Sequence, residues 1–95
     1  MPASRRSNRS TFLNWVTAAR ALPSYRLWVR FDDGVEGEVD LRDLVMGDQR
    51  QIVAELRVQA AFFAIRVEHD TVVWDNGFDL APEYLRANLR TRANV

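Results

Sequence analysis

Between Tyr25 and Asp40 the sequence alternates so regularly that it admits one kind of structure. In Tyr25-Arg26-Leu27-Trp28-Val29-Arg30-Phe31, an extended chain points Tyr25, Leu27, Val29 and Phe31 one way and Arg26, Trp28 and Arg30 the other. Asp32-Asp33-Gly34 interrupts the run as a turn, and Val35 to Asp40 returns. A two-residue loop at Asp33-Gly34 would set Phe31 against Glu36 and Val29 against Glu38. A three-residue loop, Asp32 to Gly34, pairs Phe31 with Val35, Val29 with Gly37 and Leu27 with Val39. On the other face it pairs Arg30 with Glu36 and Arg26 with Asp40. Only this register keeps one face apolar, because a slip of one residue turns every side chain over. It also places Gly34 where a positive φ is needed. Each exposed ion pair contributes about 0.2–1 kcal/mol, so the apolar face fixes the register more than the charges do.

The flanks extend this pattern. Phe12 to Leu22, with Trp15 and Val16, reads as a first strand, and Pro23-Ser24 as a turn. Leu41, Leu44 and Val45 share helical spacing and form a short helical turn that Gly47 ends. Asp48 is placed to cap a second short helix, with Ile52, Val53 and Leu56 on one side. Ala60 to Phe63 reads as a further helical turn whose phenylalanines plug the core. Phe63, Ile65 and Val67 then alternate. A turn at His69-Asp70 pairs Val67 with Val72 and Ile65 with Trp74.

Trp74 to Leu85 is the densest cluster of distinctive residues. A turn follows Trp74 at Asn76-Gly77. Pro82 suits the first turn of a helix, where its missing N–H costs nothing. Asp79 is the expected cap rather than Ala81, and Glu83 then meets the positive end, with Arg86, Arg90 and Arg92 at the negative one. Ala81, Tyr84, Leu85 and Leu89 line one face. The expected fold class is therefore α+β. It has an antiparallel β-sheet of about four to five strands, built on hairpins 25–40 and 63–74. Short helices fill 41–62, and a C-terminal helix from about 80 to 91 packs on the sheet.

Ninety-five residues, 47% of them apolar, fit one domain of modest core. Residues 1–11 are polar and basic and read as a disordered arm, leaving 12–95 as a single α+β domain. The absence of cysteine excludes disulfides and thiolate chemistry and suits a reducing, cytoplasmic location. No apolar run is long enough to span a membrane. Net charge is zero but uneven. Residues 1–31 hold six arginines and no acid, residues 32–83 hold all thirteen acids, and the last twelve residues hold three arginines. Basic ends around an acidic middle either neutralise one another or attract a charged partner.

The order and spacing of several segments resemble a small bacterial family. They are Phe31-Asp32-Asp33-Gly34, Val39-Asp40-Leu41 with Leu44, Phe62 leading into Val67, and Trp74 with Gly77-Phe78-Asp79-Leu80-Ala81-Pro82-Glu83-Tyr84-Leu85. The family is domain of unknown function 2442, and the likeness runs from about Val16 to Leu89. The resemblance implies a compact α+β domain without established enzymatic activity. Members are often encoded beside a small toxin-like protein, which implies an antitoxin-like or partner-binding role. Some relatives carry an added helix-turn-helix; none follows Leu89 within this sequence, so DNA reading through such a module is not expected. The family supplies no catalytic residues to carry over.

The residues themselves point the same way. His69, the one histidine, stands at an expected turn without the partners that metal or triad chemistry needs. Asp75-Asn76-Gly77-Phe78-Asp79 lacks the closing bidentate glutamate of a calcium loop. Asp32-Asp33 and Asp40-Asp43 fit a turn and a helix cap better than an acid–base pair. No phosphate loop or nucleophile elbow is present. The expectation is a protein without catalytic residues, cofactor or metal, acting by binding another protein, either a toxin-like partner or a second copy. The candidate surface is Arg26, Trp28 and Arg30, since an indole between guanidiniums has the composition of an interface hot spot. The first and third strands offer open edges as a second mode of attachment. The alternative is a nucleic-acid-binding accessory protein that uses the basic arm and the C-terminal arginines.

Overall fold

The computed structural model describes residues 15–90, so the arm expected over 1–11 lies outside the described residues. Strand β1, Val16–Leu22, pairs with β2, Arg26–Phe31, which pairs with β3, Glu36–Asp40. Three short helices follow: α1, Arg42–Gly47; α2, Gln51–Ala54, continued by a 3-10 turn at Glu55–Arg57; and α3, Gln59–Phe63. Strands β4, Ile65–Glu68, β5, Thr71–Trp74, and β6, Asp79–Leu80, come next. Helix α4, Pro82–Ala87, and strand β7, Leu89–Arg90, close the described chain. The expected α+β class holds, but the strands divide into two antiparallel sheets, β1-β2-β3-β7 and β4-β5-β6.

The central hairpin has the register the alternation demands: Leu27 opposite Val39, Val29 opposite Gly37, Arg30 opposite Glu36, Arg26 opposite Asp40. The Phe31 N–H donates to the Val35 carbonyl at 2.8 Å, and Gly34 takes φ +89°. The second hairpin also matches, with Val67 opposite Val72 and Ile65 opposite Trp74 across a turn at His69 and Asp70, both left-handed. Together these registers turn Leu27, Val29, Phe31, Val39, Val72 and Trp74 into one core with Val45, Val53, Leu56, Phe62, Phe78 and Leu85. Trp74 is fully buried, and its indole N–H donates to the Phe62 carbonyl at 2.9 Å, so the one polar atom of the ring is satisfied inside the core. The remainder of its turn is fastened by Asn76. The Asn76 amide donates to the Ile52 carbonyl at 2.9 Å and to Glu55 at 2.8 Å, and its oxygen accepts the Phe78 N–H.

Five local expectations are corrected. Tyr25 does not begin β2; it sits in the turn at φ 58°, and its ring leaves the strand to pack edge-on against Phe62, 5.3 Å between centroids. Phe63 is 45% exposed, since only one of two adjacent helical phenylalanines can face inward, and Phe62 does. Asp79 does not cap α4. It is drawn into β6 opposite Val73, and Ala81 stands at the cap without a side-chain bond, while Pro82 does open the helix. The C-terminal helix stops at Ala87, and Leu89 and Arg90 turn into a strand beside β3. There Leu89 lies opposite the core residue Val39 and Arg90 opposite Glu38, which satisfies a sheet edge that a longer helix would leave bare. The third strand therefore has no open edge along that stretch.

The helical segment 41–63 is held by side chains reaching backbone. Asp40 accepts the Arg42 N–H at 2.9 Å at the start of α1. Asp48, expected as the cap of α2, stands too early: Arg50 occupies the cap without a side-chain bond, and Asp48 accepts the Arg50 N–H at 2.9 Å instead. At the other end of α1, the Arg57 guanidinium donates to the carbonyls of Val45, Met46 and Asp48 at 2.9, 3.2 and 3.1 Å. A cation there meets the orphan carbonyls and the negative end of the helix together.

Candidate functional site

Because the core takes one face of the four-stranded sheet, the alternation assigns the rest to the other. That second face carries Ala18, Arg20 and Leu22 from β1, Arg26, Trp28 and Arg30 from β2, Glu36, Glu38 and Asp40 from β3, and Arg90 from β7. Among the described residues no helix covers it: Arg20, Arg30, Glu36, Asp40 and Arg90 are exposed, and Trp28, Arg26 and Glu38 are half-buried.

Trp28 lies at the middle of this face, directly opposite Arg20 on one side and Glu38 on the other. The Arg20 guanidinium stands over its ring, 5.6 Å from the centroid, so one side of the indole is stacked on a cation. Arg26 pairs with Glu38 at 2.7 Å and also donates to the Pro23 carbonyl at 3.1 Å. Arg30 meets Glu36 at 3.9 Å. The expected Arg26–Asp40 pairing across the strands is thus one of backbone register only. The Arg26 side chain leans to Glu38, and Asp40 serves α1 instead. The charges form stripes: arginines on β1 and β2, three carboxylates on β3.

The three residues singled out by sequence, Arg26, Trp28 and Arg30, do share this surface. Arg20, Glu38 and Arg90 belong to it too and were not anticipated. Arg20 was legible in principle: a three-residue turn over Pro23–Tyr25 pairs Leu22 with Arg26 and hence Arg20 with Trp28. Arg90 was not, because its segment continues a helical pattern in sequence and becomes a strand only through the edge it covers.

The other candidates are dispersed. His69 is exposed in its turn. Asp33 lies at the tip of the central hairpin, where Arg86 grips it with contacts of 3.3 and 3.0 Å; that side-chain bond and the Val35 N–H hold its carboxyl below the usual range. Arg86 also stands 5.0 Å over the Phe31 ring, joining α4 to the hairpin. Asp75 pairs with Arg66 at 2.8 Å, and Asp79 lies in β6. Among the described residues no three His, Asp or Glu side chains come together to hold a metal ion. No helix of the described residues is long and apolar enough to cross a membrane.

Fold and surface define a small α+β domain whose four-stranded sheet presents a charge-striped face with Trp28 at its middle. Residues 16–91 match the family described as Protein of unknown function (DUF2442), and the chain belongs to that family. No curated protein and no solved structure matches the chain.

Proposed function

We propose that this is a non-catalytic, cytoplasmic protein that acts by binding another protein through the outer face of its four-stranded sheet. The observation that carries the reading is Trp28, half-buried at the centre of that face, stacked against Arg20 and between Arg26 and Arg30. Tryptophan and arginine dominate interface energetics because they bury large area and keep polar contacts. A domain of this size that needs Trp28 for its own core would turn it inward, as it does Trp74. The family resemblance supplies the kind of partner: a small toxin-like protein encoded alongside, for which this chain is the antitoxin-like or regulatory member.

The test is co-expression with the product of the adjacent gene, followed by purification through a tag on one chain. Co-purification that Trp28→Ala weakens by about tenfold or more supports the reading. Absence of co-purification, with no relief of any toxicity, removes it. The nucleic-acid alternative has less support, because Arg86 is committed to Asp33 and Phe31. A gel shift whose strength falls steeply with salt would favour that alternative instead.

A further inference from the structure

The striped face has a symmetry property that a mixed surface lacks. Its β2 column is positive, through Arg26 and Arg30 with Arg20 leaning over Trp28, and its β3 column is negative, through Glu36, Glu38 and Asp40. We infer that this face docks on the same face of a second copy of the chain, related by a two-fold axis that runs parallel to the strands between β2 and β3. The inference rests on the reading that this face is the binding surface, and it adds a second copy as its occupant when the toxin-like partner is absent.

The axis follows from the charges. A two-fold axis parallel to the strands exchanges left and right but keeps the level along the strand. It therefore lays the β2 column of one copy on the β3 column of the other. Arg26 of one copy meets Asp40 of the other, Arg30 meets Glu36, and Trp28 meets Glu38, where the indole N–H has a carboxylate to donate to. Each pairing occurs twice, as an isologous interface requires. An axis across the strands would instead lay arginines on arginines and carboxylates on carboxylates, which the same charges oppose. Arg20 and Arg90 face each other at the rim in the favoured arrangement, where solvent screens them.

The area sets the strength. Strands about 4.8 Å apart and residues about 3.3 Å apart give a projected face of roughly 350 Å² per copy. Stable dimers bury about 800 Å² per partner, so this one is weak and depends on its charges. It forms at high protein concentration and dissolves as salt rises.

Sedimentation velocity of the purified full chain, over about a hundredfold range of concentration at low and high salt, gives the first readout. A dimer that grows with concentration and recedes with salt is expected. The second readout is charge reversal with Arg30→Glu and Glu36→Arg, both at exposed positions, with circular dichroism to confirm folding. Each variant alone should dimerise about tenfold more weakly than the parent, whereas an equimolar mixture should form a heterodimer at least as tight as the parent's dimer. Trp28→Ala, which changes no charge, should also weaken the dimer. A monomer at every concentration in low salt overturns the inference, as does a dimer indifferent to both reversals or a mixture that fails to recover. If the chain stays monomeric yet still captures the adjacent gene product through Trp28, the second-copy inference fails while the reading beneath it stands.

Discussion

Tyr25 donates its phenolic hydrogen to the main-chain carbonyl of Arg57, 2.5 Å away across 32 residues of sequence. The bond ties the turn before β2 to the helical segment and accounts for the backbone of Tyr25. A bulky residue at φ 58° costs of order 1–3 kcal/mol unless its surroundings hold it there. Here the hydroxyl holds Arg57, the ring holds Phe62, and the carbonyl accepts the Leu41 N–H at 2.8 Å. Tyr25→Phe removes the first of these alone. It should lower stability by about 1 kcal/mol, a drop in Tm of about 4–8 °C, as followed by tryptophan fluorescence in a thermal melt.

Arg57 answers from the other side of the same bond. Its guanidinium spans three carbonyls at the end of α1, a geometry that a planar fork can meet and a single ammonium cannot. Arg57→Met keeps the apolar stem and should cost about 1–2 kcal/mol in urea denaturation. Arg57→Lys should recover only part of that loss. Full recovery by lysine would show that charge matters there and the fork does not.

Asn76 is the fastener of the turn after Trp74. Asn76→Asp turns a donor to the Ile52 carbonyl and to Glu55 into an acceptor, and sets two carboxylates side by side. The loss should be about 1–3 kcal/mol near neutral pH and should shrink as the pH is lowered, because a proton shared between two neighbouring carboxylates relieves their repulsion. Asn76→Ala should lose less and show no such pH dependence.

Acid should weaken the fold through Asp48. The Arg50 side chain first, then the Arg50 N–H, hold its carboxyl at about 2 against 3.8 for the free group. A depressed folded value means that the charged form stabilises the native state. The contribution is complete above 3.8 and disappears as the pH falls towards 2. Asp33, lowered by Arg86, acts in the same direction. Urea midpoints measured between pH 5 and pH 2 should fall, and Asp48→Asn should flatten part of that slope.

What the sequence made legible was whatever one strand's alternation could decide by itself. Leu27, Val29 and Phe31 fixed the central hairpin, and Ile65 and Val67 fixed the second. Trp28 fell on the outer face for the same reason. What stayed hidden needed long-range contacts. Leu89 and Arg90 continue a helical spacing, and only the bare edge of β3 converts them to a strand. Asp79 has the chemistry of a cap, but β5 offers it a partner first. The partition into two sheets follows from packing that no single segment encodes. Arg57 is hidden for the same reason, since nothing near it in sequence announces that it closes α1 from twelve residues away.

The central claim is that the outer face of β1-β2-β3-β7 is where this protein meets its partner. Its most direct test is a titration of the isotope-labelled chain with the adjacent gene's product, followed by two-dimensional NMR of backbone and indole N–H groups. The account predicts shifts concentrated at Arg20, Arg26, Trp28, Arg30, Glu36 and Glu38, with the Trp28 indole among the largest and that of buried Trp74 unmoved. Shifts gathered instead at the Asp75–Asp79 turn or along α3, with the Trp28 indole unchanged, would contradict it.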